Sequence, residues 1–110
     1  MINDTNYKEA LKDGYVLSEI SGDSCANCLT LMPILHTIVE NRKDVKLFTI
    51  DAAPETKELC TFYNVEAVPT ILLTYNGDLI GKVRGYQPDE ILEIWVEAKI
   101  EEHKKSLQKL

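Results

Sequence analysis

Cys25 and Cys28, in the run Ser24-Cys25-Ala26-Asn27-Cys28, are the residues of this chain best suited to chemistry. At a helix start, positions i and i+3 share a face, so the two sulfurs fall within disulfide reach where the backbone allows. The unpaired amides and dipole of a first turn favour an anion by about 0.3–1 kcal/mol, and by up to about 2 when partly buried. Thiolate is the attacking species, which suits Cys25 to nucleophilic attack. Cys28, one turn deeper, is placed to resolve a mixed disulfide. Asp23 lies two residues before Cys25. At about 7 Å in near-aqueous dielectric, its charge raises the cost of ionising the thiol by roughly half a kcal/mol. Less thiolate stabilisation favours a reductant over a strong oxidant.

Other readings of these residues are blander. The pair could be inert buried thiols or half of a zinc site. Zinc takes four ligands, and Cys60, His36 and His103 show no paired metal spacing. Cys60 neighbours Leu59 at the margin of a Leu59/Phe62/Tyr63 apolar face and reads as a small core thiol, with a regulatory disulfide as the lesser alternative. His36 and His103 read as solvated or capping residues. Trp95 falls with Ile91, Leu92 and Ala98 on one helical face, a core-packing pattern.

The elements that must hold the cysteines follow from periodicity. Asn3 to Lys12 carries polar caps and helix formers and stops at Gly14. Tyr15 to Ile20 reads as an apolar strand. Cys25 to Asn41 has Leu31, Leu35, Ile38 and Val39 at helical spacing, with Pro33 expected to kink it. Val45 to Ile50 reads as a second strand and Pro54 to Tyr63 as a short helix. Thr70 to Tyr75 and Leu79 to Arg84 flank Asn76-Gly77, a strong hairpin signal. Pro88-Asp89-Glu90 opens a last helix, with proline at its first position and acids in its first turn. Strands separated by helices imply parallel pairing, and the closing hairpin adds antiparallel strands. The expected fold class is α/β, a central mixed sheet with helices on both faces.

Composition narrows the function. The chain has 110 residues, 45% apolar and 27% charged, as expected of one ordinary globular domain. Its formal charge of −6, with only a short basic cluster near its end, makes nucleic acid a poor partner, and no stretch approaches the roughly 18 apolar residues of a membrane span. Three cysteines, an odd number, do not make a structural disulfide framework. The first residues, Met1 to Asn6, have neither a basic nor an apolar signal region, so the expected location is the cytoplasm.

Taken together, the C-x-x-C after the first long strand, Pro33 five residues beyond it, Val68-Pro69-Thr70, Asn76-Gly77 and Gly85 resemble the thioredoxin family over about residues 5 to 100. The resemblance implies a thioredoxin-like fold and a thiol–disulfide oxidoreductase that reduces protein disulfides. Cys25 would attack, Cys28 would resolve, and Pro69 would be cis and shape the groove. The Val68 backbone would pair with an extended substrate segment. Thr70, Ala26, Asn27 and Gly85 would complete the substrate contacts. Glu19, six residues before Cys25, stands at the family's buried-acid position, where aspartate is usual. Buried there, its pKa should rise, and it would pass protons to and from Cys28.

Several positions depart from the family pattern. Ser21 and Ser24 stand where it has tryptophans, and Ala26-Asn27 replaces Gly-Pro. Leu47 stands at a lysine position, with Lys46 adjacent, and the Pro54–Val65 segment is about three residues longer. These changes imply a more polar docking face. The expected partners are protein or small disulfide substrates, with an external reductase or a low-molecular-weight thiol as electron donor. No bound cofactor, metal, nucleic acid or membrane is expected. A non-catalytic binding module on the same fold is the alternative. Residues 1–110 read as one domain, with about 101–110 as a helical extension that frays or docks a partner through Leu107 and Leu110.

Overall fold

The computed structural model describes residues 1–108. Its elements run α1 (Tyr7–Ala10), β1 (Tyr15–Ser21), α2 (Ala26–Glu40), β2 (Val45–Asp51), a 3-10 turn (Pro54–Thr56), α3 (Lys57–Phe62), β3 (Thr70–Tyr75), β4 (Asp78–Arg84) and α4 (Asp89–Gln108). The expected order is thus reproduced. The first helix is shorter than its polar flanks suggest, and α2 continues through Pro33. Pro88 precedes α4 rather than opening it, and its carbonyl accepts from the Leu92 amide at 3.0 Å.

The four strands lie in the order β2-β1-β3-β4. Only β1 and β2 are parallel, which is what a helical crossover between them requires. β3 also follows a helix, yet it runs antiparallel to β1. It lies on the far side of β1 from β2, so the parallel expectation holds for one pair only. The hairpin is as expected: Asn76 (φ 52°) and Gly77 (φ 87°) both take the left-handed region that a tight two-residue turn needs. Asn76 also clasps Gly14, its amide donating to the Gly14 carbonyl at 3.1 Å and its Oδ1 accepting from the Gly14 amide at 2.8 Å.

Side-chain alternation along β1 divides the core in two. Tyr15 and Leu17 face a cluster with Leu31, Leu35 and Ile38 of α2 and Leu92, Val96 and Ile100 of α4. Val16 and Ile20 face a second cluster with Tyr7, Leu11, Leu59 and Tyr63, supplied by α1, α3 and their ends. Helices therefore cover both faces, and β1, the strand that delivers the cysteines, is buried from Tyr15 to Ile20. Each fully buried leucine in these layers contributes about 1.5–3 kcal/mol.

The face assigned to α4 needs correction. Leu92, Val96 and Ile100 are buried and Trp95 packs against them, but Ile91 is 55% exposed and Ala98 lies outside. The contact stripe recurs every four residues, so Ile91 and Ala98 fall beyond its edges. Phe62 is likewise exposed, leaning on Tyr7 and Tyr63, while Leu59 and Tyr63 are buried. Helix α4 runs on past residue 101 to Gln108. Leu107 is partly exposed, and Lys109 and Leu110 lie outside the described residues. No helix among the described residues is long and apolar enough to cross a membrane.

Candidate active site

β1 ends at Ser21, and four residues later Cys25 caps α2. The turn between them passes through Ser24, held in the left-handed region at φ 55°. Cys25 itself is extended, so its side chain turns back over the first turn and its Sγ accepts from the Cys28 amide at 3.2 Å. A cap of this kind satisfies one of the helix's orphan donors and directs an N–H at the sulfur, the contact that steadies a thiolate once the pair is reduced. The two cysteines form a disulfide with their Cα atoms 5.3 Å apart. Their environments differ. Cys25 is half-buried, whereas Cys28 is 2% exposed and shares the inward side of α2 with Leu31 and Leu35. Ala26 and Asn27, between them, are exposed.

Glu19 lies on β1 between Thr49 of β2 and Ile71 of β3. Alternation puts it on the face of Tyr15 and Leu17, the face that α2 covers with Cys28 and Leu31. It is fully buried, and neither carboxylate oxygen has a hydrogen-bond partner among the described residues. Loss of solvent pushes its pKa from the ordinary 4.5 up to about 7. Leu47 packs at the edge of the core, and Lys46 is exposed on the opposite side of β2 by alternation. Neither brings a cation to the acid.

The Val68–Pro69 peptide bond is cis, as the resemblance implies. The loop is tied down on both sides. The Gly85 amide donates to the Pro69 carbonyl at 2.8 Å, and the Thr70 hydroxyl donates to the Ala67 carbonyl at 2.6 Å. Gly85 takes φ 80°, a conformation that glycine adopts without the steric cost of a side chain. Pro69 and Thr70 are buried, while Val68 is 37% exposed. Gly22, in the loop that leads to Cys25, approaches Val68 so closely that a Cβ there would lie 3.0 Å from Val68 Cγ2. The loop that leads to Cys25 therefore meets the proline loop at Gly22 and Val68, and Gly85 joins the proline loop through its bond to Pro69.

Reading the sequence missed Gly22 and Leu29. Gly22 has a visible signal, a glycine between a strand end and the cysteine pair. Leu29 has none, being an apolar residue that projects from α2 with 75% of its surface exposed. Beside Cys25 these two border a hollow of about 460 Å³, together with Ser21, Asp23, Ser24 and Ala26.

Cys60 lies apart from the pair. It packs at the edge of the second core cluster but is only half-buried, and it opens into a groove of about 380 Å³ that reaches Val68. Burial pushes its thiol pKa up, so Cys60 sits at the core's margin in its thiol form. His36 is exposed, and His103 is neither freely solvated nor a cap: it is hydrogen-bonded to Tyr15. No group of three His, Cys, Asp or Glu residues suited to a metal occurs among the described residues.

The thioredoxin family profile matches residues 1–98. The chain is 30% identical over 96 residues to the thioredoxin of Listeria monocytogenes, covering 84% of this chain and 89% of that one. It is 26% identical over 91 residues to the thioredoxin of Bacillus subtilis, covering 82% and 86%. Among solved structures, a mutant thioredoxin from Halobacterium salinarum superposes with a TM-score of 0.74 at 28% identity, covering 87% of this chain and 84% of that one. By profile, sequence and fold, the chain belongs to the thioredoxin family, a thiol–disulfide oxidoreductase that exchanges with disulfide substrates and takes its electrons from a reductant partner.

Proposed function

We propose that this protein is a reductant of protein disulfides, with Cys25 as the nucleophile and Cys28 as the resolving thiol. The observation that carries this reading is the asymmetry of the pair: Cys25 is accessible and capped by an amide, whereas Cys28 is buried under α2. The Cys25 thiolate attacks one sulfur of the substrate disulfide. That bond breaks, and the departing sulfur leaves as a thiolate and takes up a proton. Cys28 then gives its proton to the Glu19 carboxylate, directly or through water, and attacks Cys25 in the mixed disulfide. The second substrate thiol leaves, and two electrons have passed from the Cys25–Cys28 dithiol to the substrate.

A group titrating near 7 suits a proton carrier at neutral pH, which supports Glu19 in this role. The exposed Val68 beside a buried cis-proline supports docking of an extended substrate strand along Val68-Pro69-Thr70, flanked by Ala26, Asn27 and Gly85. The enzyme disulfide is returned to the dithiol by an external reductase or a low-molecular-weight thiol. The chain acts as a single domain, with α4 from about residue 101 to Gln108 as a helical extension. A half-buried free thiol alongside a working pair fits a reducing compartment, which we take to be the cytoplasm.

Reduction of insulin disulfides by dithiothreitol tests the roles. Wild type should accelerate it, Cys25→Ser should abolish the acceleration, and Cys28→Ser should accumulate a mixed disulfide through Cys25. Equal rates for wild type and Cys25→Ser would mean a binding module rather than a catalyst.

A further inference from the structure

The hollow of about 460 Å³ against Cys25 exists because its walls are small: Ser21, Gly22, Ser24 and Ala26 leave the space open. Two larger side chains border it, and they differ in kind. Leu29 offers an apolar surface that is 75% exposed, and Asp23 offers the only charge among the lining residues. Asp23 is exposed and makes neither an ion pair nor a side-chain hydrogen bond among the described residues. The parallel register also sets Asp51 opposite Ser21, so a second carboxylate borders the same end of the sheet. The nearby cations lie elsewhere. Lys57 lines the groove beyond Val68, and Arg84 is paired with Glu66 at 3.6 Å.

We propose that this hollow is a specificity subsite for a lysine or arginine flanking the disulfide cysteine of the substrate, with Asp23 as its specificity-determining residue. The methylene stem of such a residue would lie along Leu29 while its cationic head meets Asp23, the arrangement long basic side chains adopt where apolar surface borders a charge. The overall charge of −6 attracts the same class of substrate over longer range. The proposal rests on Cys25 being the nucleophile, since the hollow selects only for what is delivered to that sulfur.

The test uses the full chain, reduced beforehand and freed of reductant, in single turnovers against two cystine peptides. The peptides are identical except for Lys or Glu beside one half-cystine. Wild type should reduce the Lys peptide about threefold to tenfold faster, a margin typical of an exposed charge pair and its like-charge counterpart. The margin should shrink as salt is raised. Asp23→Asn should bring the ratio of the two rates most of the way to one, leaving the share contributed by the net charge, and Asp23→Lys should lower it further. Any effect of Asp23 on the reactivity of Cys25 is common to both peptides and cancels in the ratio. If wild type reduces both peptides equally, or Asp23→Asn keeps the preference undiminished, the subsite is refuted while Cys25 keeps its role. If neither peptide is reduced, the nucleophile assignment fails and the subsite with it.

Discussion

Gly22 lies against the side chain of Val68 with no slack: a Cβ on Gly22 would sit 3.0 Å from Val68 Cγ2. This contact joins the loop that leads to Cys25 to the loop carrying the cis-proline, so the spacing between the two loops depends on the absence of one methyl group. Gly22→Val should push Val68 outward and displace the backbone we propose as the substrate's docking strand. Because misplacement by about 1 Å can cost up to about 100-fold in rate, a fall of about tenfold in kcat/KM for insulin reduction is expected. Alkylation of reduced Cys25 by iodoacetamide should be nearly unchanged. An undiminished kcat/KM would show that the two loops move independently.

A second glycine has a comparable role in the core. A Cβ on Gly81 would come within 2.7 Å of Trp95 Cζ2 and 3.4 Å of Lys99 Cγ. Trp95 thus lies across β4 where that strand lacks a side chain, and β4 and α4 close on each other there. Gly81→Ala should cost about 1–3 kcal/mol by overpacking, read by urea denaturation, with a shift in the emission of this single tryptophan. A variant as stable as wild type would mean that Trp95 swings aside freely.

Much of this arrangement is legible in the sequence because it is local. The hairpin follows from Asn76-Gly77, whose backbone only a tight turn accommodates, and the N-cap cysteine follows from a strand handing over to an amphipathic helix. The direction of β3 is not legible, because alternation reveals which faces a strand buries but not which way it runs. Helical periodicity places Trp95 in the packed layer correctly and misplaces Ile91 and Ala98, since the stripe α4 buries depends on where β4 lacks a side chain. That Glu19 has no cation partner depends on register: Thr49, and not a lysine, stands beside it. The pairing of Tyr15 with His103 spans 88 positions and has no local signal.

That last pair anchors the end of α4. Tyr15 Oη and His103 Nδ1 are 2.7 Å apart, with the Tyr75 ring packed against both. Lys104 and Arg42 converge on Asp44 beside them, and Arg42 chiefly holds that carboxyl below the usual range. A hydrogen bond of this kind is worth about 0.5–1.5 kcal/mol. A double-mutant cycle of Tyr15→Phe and His103→Ala should return a coupling of about 1 kcal/mol, with faster amide exchange confined to the last turns of α4. A coupling near zero would mean that the helix end is held by packing alone.

Glu19 sets the pH dependence of the fold. Its pKa is about 7 in the folded chain and near the ordinary 4.5 when unfolded. Below 4.5 the group is protonated in both states and costs nothing. Between 4.5 and 7 the unfolded chain releases the proton while the folded chain retains it, so stability falls as pH rises, and it levels off above 7. At about 1.36 kcal/mol per pH unit, the loss across this window is up to about 3 kcal/mol. Glu19→Gln should remove that slope and make the oxidised protein more stable than wild type at pH 8, with little difference at pH 4.5. The same variant should slow the resolution of mixed disulfides by Cys28, because the buried amide cannot take up its proton. Denaturation curves of wild type and variant from pH 4.5 to 8 measure the first effect, and single-turnover kinetics measure the second. Parallel stability profiles would mean that Glu19 is ionised in the folded state across the whole range, and equal resolution rates would remove it from the proton path.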